Sequence, residues 1–74
     1  MVTLLTKPGC VQCNQTKKAL EKVNVPFEMV DMAEDATALE RAKSLGYLQA
    51  PVVINGEDHW SGFRPDKIAA LAQN

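Results

Sequence analysis

Apolar and polar positions change their period several times along the chain, and each change marks an element. Val2-Thr3-Leu4-Leu5-Thr6 is a short aliphatic and β-branched run ended by Lys7-Pro8-Gly9, which predicts a buried strand. From Val11 to about Val23, Cys13, Thr16, Leu20 and Val23 recur at helical spacing, so one helix face turns inward. Asn24 and Pro26 stop that helix, and Phe27-Glu28-Met29-Val30-Asp31 alternates like a second strand. Asp35 is placed to cap a second helix, with Leu39, Ala42 and Leu45 on one face and Gly46 closing it. Pro51 introduces Val52-Val53-Ile54, a β-branched strand. Asn55-Gly56 is the favoured two-residue hairpin turn, since both residues tolerate positive φ, and Glu57 to Trp60 forms the expected return strand. A last helix is expected from about Pro65, a residue suited to the first helical position, with Asp66 in its first turn. Ile68, Leu71 and Ala72 supply its apolar stripe.

The first two strands are expected to run parallel through a right-handed crossover, and the last two to pair antiparallel. The fold class is α/β: a four-stranded mixed sheet flanked by three helices, in an order similar to the minimal thioredoxin fold. With 74 residues and no repeat or linker, one domain over residues 1–74 is expected. The formal net charge is −1 and no Lys/Arg block occurs, which argues against nucleic acid or membrane surfaces as partners. No apolar run approaches the ~20 residues that span a bilayer. Lys7-Pro8-Gly9 interrupts the N-terminus before the apolar stretch of a signal peptide can form, so a cytoplasmic protein is expected. A monomer is also expected.

The chain's two cysteines, Cys10 and Cys13, stand where the first strand gives way to the first helix. Two cysteines are too few for a disulfide framework, and a bridge over so short a loop stabilises little, so a structural role is disfavoured. Thiolate, not thiol, attacks a disulfide. Cys10 precedes the helix, where unpaired N–H groups and the macrodipole favour negative charge, and Lys7 adds a cation nearby. About 2 kcal/mol of differential stabilisation is enough to bring such a thiol toward neutral pH. Cys10 is therefore expected to be exposed and nucleophilic. Cys13, in the first turn and on the face of Leu20, is the more buried resolving thiol, close enough for an unstrained disulfide. A closed zinc site needs four ligands, and Cys10, Cys13 and His59 do not supply them; a metal shared across a dimer, or iron–sulfur carriage, stays open as an alternative. His59 is read as an exposed strand residue, and Lys17, Lys18 and Glu21 as the solvated helix face. Trp60 and Phe63 read equally as core residues or as part of a surface cluster, with Gly62 permitting a tight turn and Arg64–Asp66 a surface pair.

Lys7-Pro8-Gly9-Cys10-Val11-Gln12-Cys13, Ala50-Pro51 and Trp60-Ser61-Gly62-Phe63-Arg64-Pro65-Asp66 together resemble the NrdH-type redoxins, glutaredoxin-like proteins of the thioredoxin superfamily, over nearly the whole chain. The resemblance implies a cis Ala50–Pro51 bond facing the dithiol, with the backbone of Ala50 pairing with the disulfide partner. It also implies electrons accepted from thioredoxin reductase and passed to class Ib ribonucleotide reductase, with the Cys10–Cys13 disulfide as redox group and no cofactor or metal. Glutaredoxins that use glutathione commonly carry a Gly-Gly segment followed by an acidic pair, where this chain has Ser61-Gly62-Phe63-Arg64-Pro65-Asp66. Phe63 is expected to fill part of that groove and Pro65 removes a donor, so weak or absent glutathione binding is expected. A docking surface around Cys10 is expected from Val11, Ala50, Pro51, Trp60 and Phe63, with Lys7, Gln12, Ser61 and Gly62 also at the partner site. A glutathione-dependent glutaredoxin is the alternative.

Overall fold

In the computed structural model, which describes residues 1–72, four strands and three helices alternate. They are β1 (Val2–Thr6), α1 (Val11–Lys22), β2 (Phe27–Asp31), α2 (Ala36–Ser44), β3 (Val52–Asn55), β4 (Asp58–Ser61) and α3 (Pro65–Leu71). The sheet order is β2-β1-β3-β4, with β1 parallel to β2 and antiparallel to β3, and β3 antiparallel to β4. The thioredoxin-like architecture expected from the sequence is therefore present.

Strand parity sorts the core into two layers, because successive side chains point to opposite faces. Val2 and Leu4 of β1 join Val53 of β3, Trp60 of β4, Leu20 of α1 and Ile68 of α3 on one face. Leu5 joins Val52, Ile54 and Met32 on the other, under Ala38 and Ala42 of α2. The register agrees: Leu4 faces Val53 and Leu5 faces Val52 across the β1–β3 ladder. The two central strands are thus buried on both faces, which is why they read as apolar runs rather than alternations.

Several sequence expectations need correction at element ends. Asn55 belongs to β3 and pairs with Asp58, so the hairpin loop is Gly56-Glu57 rather than Asn55-Gly56. Gly56 has φ +62° and Glu57 has no positive φ, the sign pattern of a type II′ turn, which needs its glycine first. The return strand consequently starts at Asp58, one residue later than expected. Ala38 and Ala42 form the buried face of α2, whereas Leu39 and Leu45 are half-buried; the shorter side chains let the helix lie close to the sheet. Ala72 is exposed beyond the end of α3 and does not extend its apolar stripe. Asp35 caps α2 as expected, its carboxylate accepting from the Thr37 and Ala38 N–H groups at 2.9 and 3.2 Å.

Candidate functional site

The C-terminal end of β1 delivers the chain to Lys7-Pro8-Gly9, and the turn there places Cys10 as the N-cap of α1. Its extended backbone, φ −90° and ψ 109°, aims the side chain back over the first turn, and Sγ accepts the Cys13 N–H at 3.0 Å. A sulfur here does what a Ser or Asp oxygen does at other N-caps. Cys10 and Cys13 are joined as a disulfide with Cα atoms 5.2 Å apart. The asymmetry expected of the pair is present in burial: Cys13 is 4% exposed, whereas Cys10 is half-buried rather than fully exposed. Thr16, one turn below Cys13 and fully buried, satisfies its hydroxyl on the Gln12 carbonyl at 2.8 Å.

Lys7 is exposed and lines, with Gly9, Cys10, Cys13, Met29 and Asp31, a cleft of about 250 Å³ between the β1–α1 turn and β2. Met29 and Asp31 were not foreseen there. They are on β2, and only its parallel pairing with β1 brings its end alongside the turn.

Just ahead of β3, whose Val52 pairs with Leu5 near the end of β1, the Ala50–Pro51 bond is cis, and the Pro51 carbonyl accepts the Gly62 N–H at 2.9 Å. Gly62 has φ +82°, in the left-handed region that glycine enters without steric cost. Gln12, exposed in α1, reaches across to accept the Phe63 N–H on its Oε1 at 3.3 Å. The β1–α1, α2–β3 and β4–α3 connections therefore meet at the C-terminal end of β1, where the disulfide begins α1.

Two residues expected on the docking surface are interior. Pro51 is fully buried, and Trp60 is 4% exposed because its place opposite Val53 turns the indole into the α1/α3 core. Lys67 Nζ stands 5.9 Å from the Trp60 ring centre, covering the indole from the solvent side. Val11 is 70% exposed, Ala50 and Phe63 are half-buried, and Ser61 ends β4 half-buried opposite Val52. Leu48, two residues before Ala50, is 77% exposed; a large aliphatic residue in the connection ahead of Pro51 was the signal for it.

His59 is not a free strand residue. Its Nδ1 lies 2.8 Å from the Tyr47 hydroxyl, which also donates to the His59 carbonyl at 3.3 Å, and the two rings meet edge to face. Among the described residues no three His, Cys, Asp or Glu side chains converge as metal ligands, and no helix is long and apolar enough to cross a membrane. Arg64 holds Asp66 through two contacts, Nε to Oδ1 at 3.2 Å and Nη2 to Oδ2 at 3.0 Å. The hydrogen bond from Arg64 lowers the Asp66 carboxyl below its ordinary pKa, and the same bond, with the carboxylate charge, raises the guanidinium.

Comparison with known proteins places this geometry. The glutaredoxin family model matches residues 2–60. The chain is 44% identical over 70 residues to the glutaredoxin-like protein NrdH of Escherichia coli, covering 95% of this chain and 86% of the relative. It is 35% identical over 72 residues to the NrdH protein of Lactococcus lactis, covering 97% of this chain and all of the relative (100%). The solved structure of the Escherichia coli NrdH-redoxin superposes with a TM-score of 0.89, covering 95% of this chain and 92% of that one.

Proposed function

The chain belongs to the glutaredoxin family, among its NrdH-type redoxins, and from that premise we propose that it takes electrons from a thioredoxin reductase and passes them to a disulfide of class Ib ribonucleotide reductase. It is a thiol–disulfide oxidoreductase with Cys10 and Cys13 as its redox pair. The observation that carries the mechanism is the Cys13 N–H donated to Cys10 Sγ at 3.0 Å, on a half-buried sulfur whose partner is buried. A donor fixed there stabilises negative charge on Cys10 and not on Cys13.

In the reduced protein the Cys10 thiolate attacks one sulfur of the acceptor disulfide. The S–S bond breaks, the other acceptor sulfur leaves with the bonding pair and takes a proton, and a mixed disulfide joins Cys10 to the acceptor. Cys13 then loses its proton and attacks Cys10 Sγ, forming the internal disulfide, while the second acceptor sulfur leaves and is protonated. Two electrons and two protons reach the acceptor. The reductase returns them in the reverse sense, and the redox group is the chain's own disulfide, with no further cofactor.

The choice of reductase rests on the β4–α3 connection. Ser61-Gly62-Phe63-Arg64 offers one glycine where the glutathione-using relatives have two, the Phe63 N–H is already engaged by Gln12, and Pro65 brings no N–H to the start of α3. The Escherichia coli relative is described by a thioredoxin-like activity profile, which favours the same reading. Val11, next to Cys10 in the chain, and Phe63, tied to the redox turn through Gln12, offer apolar surface for a protein partner, and Leu48 and Ala50 add exposed and half-buried apolar surface in the connection before Pro51. A coupled assay decides: NADPH oxidation is expected with thioredoxin reductase and a class Ib ribonucleotide reductase as final acceptor, and scarcely with glutathione and its reductase. The opposite pattern would make the protein a glutathione-dependent glutaredoxin.

A further inference from the structure

Gln12 lies between the two redox cysteines, yet its side chain does work elsewhere. Its Oε1 accepts the N–H of Phe63, 51 positions away, the one hydrogen bond among the described residues that ties an α1 side chain to another element. The amide sits over Gly62, where a Cβ would lie 3.6 Å from the same oxygen, in ordinary contact. Gly62 is in turn held to the Pro51 carbonyl from the other side. The redox turn, the β4–α3 connection and the cis-proline segment are thus stitched together, with Gln12 as the stitch that starts at the disulfide. Nothing else in the first turn of α1 does this: Val11 is exposed and apolar, and Cys13 is buried.

We infer that Gln12 is a positioning residue, whose amide oxygen fastens the β4–α3 connection to the redox turn and so sets where Phe63 stands relative to Val11 and Cys10 for a protein disulfide to dock. This rests on protein disulfides being the substrate, but not on which reductase supplies the electrons. A loop released from this contact still permits chemistry at Cys10 and presents a less defined surface to the partner. The loss therefore belongs in KM rather than kcat.

Insulin, reduced with dithiothreitol as the electron source, supplies a protein disulfide independent of any reductase. Dithiothreitol closes to its cyclic disulfide as it returns two electrons and two protons to Cys10–Cys13, and the dithiol passes them to an insulin disulfide. Removing one net hydrogen bond corresponds to about a two- to tenfold effect. Gln12→Met, similar in length but without the acceptor, is expected to raise KM for insulin by that factor with kcat retained. It is also expected to move the Phe63 amide resonance upfield in a proton–nitrogen correlation spectrum. Gln12→Glu keeps the acceptor and is expected to restore both. An unmoved Phe63 amide in Gln12→Met overturns the inference, as does a loss confined to kcat. A Gln12→Glu variant with a wild-type Phe63 amide but the raised KM of Gln12→Met also overturns it, because Gln12 would then touch the partner directly. Failure of thioredoxin reductase to reduce the wild-type protein removes the proposed electron donor and leaves each of these outcomes readable.

Discussion

Cys10 and Cys13 carry the same thiol, and the fold makes them different. One is the N-cap that receives an N–H, the other lies 4% exposed beneath it. Cys13→Ser is therefore expected to trap a mixed disulfide on Cys10 with a protein or small disulfide, visible by mass spectrometry, and Cys10→Ser to trap none on Cys13. Gly62 is a backbone requirement and not a packing one: its φ is +82° and the nearest atom to an added Cβ is 3.6 Å away. Gly62→Ala is expected to cost about 1–2 kcal/mol, read from the urea midpoint, through the left-handed backbone alone. The Arg64–Asp66 pair gives a pH sign. Because its hydrogen bond to Arg64 holds the folded carboxyl below its unfolded pKa, the pair's contribution is present above the unfolded value and fades as pH falls through the folded one. Both groups are exposed, so Asp66→Asn at neutral pH is expected to leave the urea midpoint nearly unmoved. A fall as large as that of Gly62→Ala would show that the pair holds the start of α3.

Among elements, β1 and β2 were legible to the residue, because Lys7-Pro8-Gly9 ends the first aliphatic run and Pro26 separates the second strand from α1. The hairpin was legible in kind but not in register. Asn55-Gly56 satisfies a turn with two positive φ angles, and the chain instead uses one, at Gly56, which shifts the return strand by a residue. Trp60 shows what strand parity decides. From sequence it suits either a docking patch or the core, and its place opposite Val53 commits it to the core. Trp60→Ala is accordingly expected to cost about 3–5 kcal/mol of stability, seen as a lowered urea midpoint, with any loss of activity following the loss of fold. Val11→Ala, at an exposed helix position, is expected to change stability by no more than about 0.5 kcal/mol while weakening turnover with protein partners.

At the scale of the whole molecule, the sheet brings three connections together at one end of β1, and the ties between them were not legible. Gln12 to Phe63 and Gly62 to Pro51 join residues whose spacing carries no period, so only the assembled sheet reveals them, as it does the bond from Tyr47 to His59 within β4. The redox pair was legible because cysteine chemistry and a helix start coincide within four residues. What the assembled fold delivers is one polarised sulfur above one protected sulfur, and alkylation of the reduced protein by iodoacetamide across pH, mapped by mass spectrometry, tests that most directly. Cys10 is expected to react first, with an inflection well below the ~8.5 of a free thiol, while Cys13 stays unmodified. An inflection at the free-thiol value, or Cys13 alkylated ahead of Cys10, would contradict the account.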